Sequence, residues 1–134
     1  MMLGFRRRFE APILAKTKRH TIRDYRKGKR QWKPGDVCDC YVDARQKTMR
    51  LFGRWPCVRV QEIQILELGQ RVCVDDELLS PDECESLARS DGFGSFAEMM
   101  DFWHGRLPFT GVIIHWDPDR PVERPATKRV AGER

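Results

Sequence analysis

At 134 residues and 15.8 kDa the chain has the length of one compact domain, too short for two full ones and long enough to bury a core without staples. With 34% charged and 40% hydrophobic residues it is neither a disordered polyelectrolyte nor a membrane protein, since no apolar run approaches the roughly 20 residues of a bilayer span. The net charge of +5 is polarised: Phe5 to Lys33 holds 12 basic and 2 acidic residues, +10 in all, and the remainder carries −5. A block of that kind attracts phosphate-bearing partners.

The opening Met1-Met2-Leu3-Gly4-Phe5-Arg6-Arg7-Arg8 is basic without a following apolar stretch, so no secretory leader is expected and the expected location is cytoplasmic. Phe9 to Lys16 predicts a short helix, with Pro12 tolerable in its first turn. Arg19 to Asp24, with Thr21 and Ile22, reads as extended. Pro34-Gly35-Asp36 signals a turn before Val37 to Val42, where apolar and polar residues alternate. Arg50 to Trp55 and Cys57 to Leu68 read as two strands parted by Pro56, and Gln70 to Val74 as a further strand hairpinned through Gly69.

The period then changes. Ser80-Pro81-Asp82-Glu83 is a capping box that starts a helix running to about Asp91, with Gly92 as terminator. Ser95 to Glu98 repeats the box and opens a helix with Met99, Phe102 and Trp103 on its apolar face. Thr110 to Trp116 is a nearly continuous apolar run, the mark of a buried closing strand. Residues 1–116 therefore read as one small α+β domain, built as a partly closed barrel with a short N-terminal helix and a late helical pair. Residues 117–134, with Pro118, Pro121 and Pro125 and few apolar side chains, read as a flexible tail in which Lys128 and Arg129 offer basic contacts.

Five cysteines (Cys38, Cys40, Cys57, Cys73 and Cys84) form no CxxC pair, and an odd count fits reduced thiols. No close Cys/His pair stands at zinc-knuckle spacing, so neither metal nor cofactor is expected and the thiols read as small hydrophobes. The six acids between Asp75 and Glu85 read as a solvated loop and helix start.

Chemistry concentrates in Ile13-Leu14-Ala15-Lys16-Thr17-Lys18-Arg19-His20-Thr21-Ile22-Arg23-Asp24. Lysine is a compact cation whose pKa falls when desolvated, threonine offers a hydroxyl that needs a base, and arginine presents a planar fork to phosphate or a carbonyl edge. Positions 18 and 21 would face opposite sides of a regular strand, so a shared ligand requires a turn between them. This segment resembles the opening motif of the ASCH domain family, a group of small barrels related to the PUA RNA-binding domains. Lys33-Pro34-Gly35-Asp36 and the stretch from Asp91-Gly92-Phe93 through Phe109-Thr110-Gly111 to His115-Trp116 agree with it in order, so the resemblance spans about residues 5–116.

That resemblance implies a cleft recognising a nucleoside, nucleotide or RNA element, without metal. Some members are small amidohydrolases that remove the acetyl group of N4-acetylcytidine with a Lys, a Thr three residues later and a distant Glu. Carried over, these fall on Lys18, Thr21 and Asp91, the last one methylene shorter than the family's Glu. Arg23 and His20 join them as ligand-binding residues. Arg6, Arg7, Arg8, Lys29 and Arg30 are expected to supply phosphate contacts, and Trp32, in a polar stretch, to stack on an unpaired base. The alternative is a non-catalytic RNA-binding or regulatory module using the same basic cleft.

Overall fold

The computed structural model of the chain describes residues 1–67 and 71–123. Among them, the elements follow in the order β1 (Met2–Phe5), α1 (Glu10–Leu14, entered through a 3-10 turn at Arg7–Phe9), β2 (His20–Arg23), β3 (Val37–Val42), β4 (Arg50–Leu66), β5 (Arg71–Val74), β6 (Glu77–Leu78), α2 (Pro81–Ser90), α3 (Phe96–Trp103) and β7 (Phe109–Trp116). The class is α+β, with one mixed sheet of seven strands. Among the described residues no helix is long and apolar enough to cross a membrane.

The 17 residues of β4 organise that sheet. Its first part pairs with β3 and its second with β7 and β5, all antiparallel. Pro56 does not divide it into two strands. The missing N–H falls where β4 leaves β3 for β7, beside a register irregularity between Cys57 and Arg59, a place where proline disturbs no ladder interior. β1, which the sequence pattern does not announce, lies parallel to β3. Among the described residues β2 pairs with β7 alone. The pairings run as an open path from β1 to β6, so the sheet is not closed.

Alternation along β3 buries Cys38, Cys40 and Val42, as its pattern predicts. They join a core with Ile63, Ile65, Val72, Met99, Ile113 and Ile114. Trp32 is 8% exposed and belongs to this core, so it is not an exposed stacking platform. Its polar neighbours Gln31 and Lys33 remain at the surface while the indole turns inward, because a large ring gains most from leaving water.

Both late helices start at their predicted caps: the Ser80 hydroxyl accepts from the Glu83 amide, and the Ser95 hydroxyl from the Glu98 amide. α2 ends in a Schellman motif. The amides of Gly92 and Phe93 return to the carbonyls of Arg89 and Ala88, and Gly92 takes φ of +98°, a left-handed conformation suited to glycine. This places Asp91 at the C-cap of α2. Gly111 serves β7 differently: a Cβ there would lie 2.3 Å from the Arg23 carbonyl oxygen, so only glycine lets β7 approach β2 this closely.

The described part of the expected tail is docked. Asp117 and Val122 donate backbone N–H groups to the carbonyls of Pro56 and Arg54, and Lys16 pairs with Asp119 at 2.7 Å. The Gly69 hairpin turn, Lys128 and Arg129 lie outside the described residues.

Candidate functional site

The turn that positions 18 and 21 require comes just before β2. Lys16 adopts a left-handed φ of 67°, and the Arg19 amide then donates to the Ser90 carbonyl at 2.7 Å, joining the start of β2 to the end of α2. Lys18 therefore precedes the strand, while Thr21 and Arg23 share one face within it. All three line one cavity of about 240 Å³ together with Asp91. Phe5, Phe9, Phe93, Phe102 and Trp103 form its apolar walls, and Arg6 and Arg106 complete it.

Lys18 is 2% exposed. Its ammonium donates to the His20 carbonyl at 2.9 Å, to the Asp91 carbonyl at 2.5 Å and to Asp91 Oδ1 at 3.3 Å. The ammonium has three hydrogens, and these three acceptors match them. Its Nζ also lies 4.8 Å from the Phe9 ring centroid. Burial pulls the Lys18 pKa below its ordinary value, against the opposing attraction of Asp91.

Asp91 is a carboxylate at the C-terminal end of a helix, where the backbone dipole disfavours negative charge. Lys18 offsets this by capping the terminal carbonyl and the carboxylate together. Asp91 Oδ1 also meets His20 Nδ1 at 3.0 Å. Asp91 Oδ2 has no hydrogen-bond partner among the described residues.

Thr21 and Asp91 share the cavity without sharing a hydrogen bond. The Thr21 hydroxyl oxygen instead accepts from Arg23 Nε at 3.2 Å, and Arg23 Nη2 donates to the Gly4 carbonyl at 2.7 Å. His20, its side chain held by Asp91, faces His115 across the β2–β7 pair with ring centroids 5.0 Å apart. It lines a second, more open cavity behind β2 and not the first one. His115 is kept neutral: burial and His20 pull its pKa down to about 4.

Of the expected phosphate-binding residues only Arg6 and Arg23 line the cavity. Arg7 is paired with Asp43, Arg8 with Glu98, and Arg30 with Asp36 at 3.0 Å. Arg7 and the Thr48 hydroxyl hold the Asp43 carboxyl down to about 2. Lys29 is exposed on the turn before Trp32, away from the cavity lining. Arg106 goes unnoticed in sequence, as a single basic residue in the loop between α3 and β7. Its Nη2 donates to the Phe102 carbonyl at 2.6 Å, which anchors it at the cavity. Phe102 and Trp103 read as core residues on their apolar pattern, and with Phe93 they are also cavity walls. Among the described residues no group of three or more His, Cys, Asp or Glu side chains is gathered as a metal ion requires. Comparison with known proteins matched no family model, no curated protein and no solved structure.

Proposed function

We propose that this chain is an ASCH-type, PUA-like barrel protein whose cleft recognises a pyrimidine nucleoside or nucleotide and hydrolyses the amide of an N4-acylated cytidine. The observation that carries this reading is the meeting of Lys18, Thr21 and Arg23, from one short segment, with Asp91, from the distant end of α2, around one cavity of about 240 Å³. That volume is below the roughly 300–1,000 Å³ typical of drug-sized ligand sites and suits a single base with a small substituent. The aromatic walls supply stacking surface for such a ring.

The hydrogen bonds favour water over Thr21 as nucleophile, because the Thr21 oxygen already accepts from Arg23 and no base touches its hydroxyl. A water at Asp91 Oδ2 attacks the acyl carbonyl carbon and gives its proton to the carboxylate. The C–N4 bond then breaks, the departing amine takes that proton, and cytidine and a carboxylate are released. Lys18 fixes Asp91 and supplies a buried positive charge beside the developing oxyanion, while the Thr21 hydroxyl and Arg23 offer donors to it.

A second reading, a non-catalytic RNA-binding or regulatory module, draws on the same hydrogen bonds: a Lys18 with all three donors engaged also describes a purely structural ion pair. Incubation with N4-acetylcytidine, followed for cytidine release beside Lys18→Ala and Thr21→Ala, separates them. Turnover that falls in both variants is expected. No turnover by the unaltered protein, or rates unchanged in both variants, rejects hydrolysis.

A further inference from the structure

Part of the basic segment is paired with the protein's own carboxylates: Arg7 with Asp43, Arg8 with Glu98, Lys16 with Asp119 and Arg30 with Asp36. Arg19, Arg26, Lys27, Lys29 and Lys33 have no ion pair among the described residues and lie outside the cavity lining; the guanidinia at the cavity are unpaired as well. Among the described residues no carboxylate lies within ion-pair distance of Arg6, Arg23 or Arg106.

These groups are nevertheless oriented. Arg6 Cζ lies 4.9 Å from the Phe102 centroid, and Arg106 Cζ lies 4.6 Å from the centroids of both Phe102 and Trp103. Arg23 Cζ lies 4.8 Å over Phe5. A guanidinium carries five N–H donors, so each keeps several for an incoming anion. Arg6 and Arg106 are exposed, which puts them at the mouth, whereas Lys18, Thr21 and Asp91 are buried at the back. Four cations, Arg6, Lys18, Arg23 and Arg106, thus face the single carboxylate of Asp91 between apolar walls. Such walls focus the positive field on whatever enters. One further donor is unclaimed: the indole N–H of Trp103, a lining residue, is buried without a hydrogen-bond partner among the described residues.

We propose that the cleft takes a nucleoside monophosphate in preference to a neutral nucleoside, with the base between the aromatic walls and the phosphate held by Arg6 and Arg106 at the mouth. The proposal rests on the reading of the cleft as a pyrimidine site and is independent of whether an amide is cut there. It separates the charge that recognises ligand from the charge that stabilises the fold, a division that net charge alone conceals.

Calorimetric titration of the full chain with cytidine and with cytidine 5′-monophosphate tests it. The monophosphate is expected to bind roughly tenfold to a hundredfold more tightly at low salt, as one or two charge-assisted contacts provide. The preference is expected to collapse in the Arg6→Gln, Arg106→Gln double variant and to persist in Arg30→Gln, which removes a positive charge elsewhere. Equal affinities, no binding of either compound, or a preference unchanged in the double variant overturn the proposal. An oligocytidylate that binds more tightly than the mononucleotide also overturns it, in favour of a strand. A preserved preference without any N4-acetylcytidine turnover rejects hydrolysis and leaves the proposal supported.

Discussion

Lys18 holds Asp91 twice, through the terminal carbonyl of α2 at 2.5 Å and through the carboxylate at 3.3 Å. One buried ammonium thereby ties the loop before β2 to the end of a helix that begins more than sixty residues later. A buried charge left without its partner is costly, whereas a pair replaced as a unit is often tolerated. Lys18→Met and Asp91→Asn are each expected to lower unfolding free energy by about 3–5 kcal/mol, and the double variant by less than their sum. Urea denaturation of the four proteins measures this coupling. Additive losses mean that the two groups do not act as a pair.

Gly92 connects the fold of α2 to the site. A Cβ at this position would stand 2.9 Å from Lys18 Cδ and 3.1 Å from Phe9 Cδ1, on a backbone whose φ of +98° already strains an L side chain. Gly92→Ala is expected to cost about 1–3 kcal/mol and to disturb Lys18 at the same time. The same substitution at Gly35, whose φ is +100° with open space around it, has the backbone cost alone. Comparing ligand affinity in the two variants, corrected for folded fraction, checks this. The effect on binding is expected only at Gly92.

His115 makes stability depend on mild acid. Burial and the facing His20 hold its native pKa near 4, while in the unfolded chain it returns to about 6.5. The unfolded state therefore binds more protons between these values. Stability from this residue is full above about pH 6.5 and falls as the pH drops toward 4. Denaturation curves at neutral pH and at pH 4.5 show the effect. His115→Gln, which retains a partner for Gln61, is expected to flatten this limb. An unchanged pH dependence excludes His115 as its source.

Trp32 gives a test of core against surface. Its burial predicts that Trp32→Ala destabilises by about 3–5 kcal/mol while the folded fraction binds ligand as before. Retained stability together with weakened RNA or nucleotide binding would return Trp32 to the role of a stacking residue.

Local signals were the readable ones. The alternation in Val37–Val42, the capping box at Ser80, the N-cap at Ser95 and the terminator Gly92 depend on neighbours within a few residues and sit where their chemistry places them, although the Glu98 carboxylate accepts from the Gly94 amide and so leaves the box at Ser95 half formed. β1 escaped notice because four residues carry little periodicity, and its pairing with β3 joins positions such as Leu3 and Cys40. Pro56 misled because its cost depends on where β4 exchanges partners, a tertiary fact. The same holds in the site. Lys18, Thr21 and Arg23 were legible as a motif, but the carboxylates that pair with Arg7, Arg8 and Arg30 are known only once the chain is folded. Arg106 gained significance only through its place beside Phe102 and Trp103.

In the proposed hydrolysis Asp91, held by Lys18 and His20, serves as the base. The most direct measurement of that role is the rate of cytidine release from N4-acetylcytidine by the unaltered protein, Asp91→Glu and Asp91→Asn, each expressed per folded molecule. Measurable turnover by the first, partial retention in Asp91→Glu and a loss of roughly a hundredfold or more in Asp91→Asn, the usual contribution of a positioned base, are expected. Turnover undiminished in Asp91→Asn, or absent from the unaltered protein, contradicts that role.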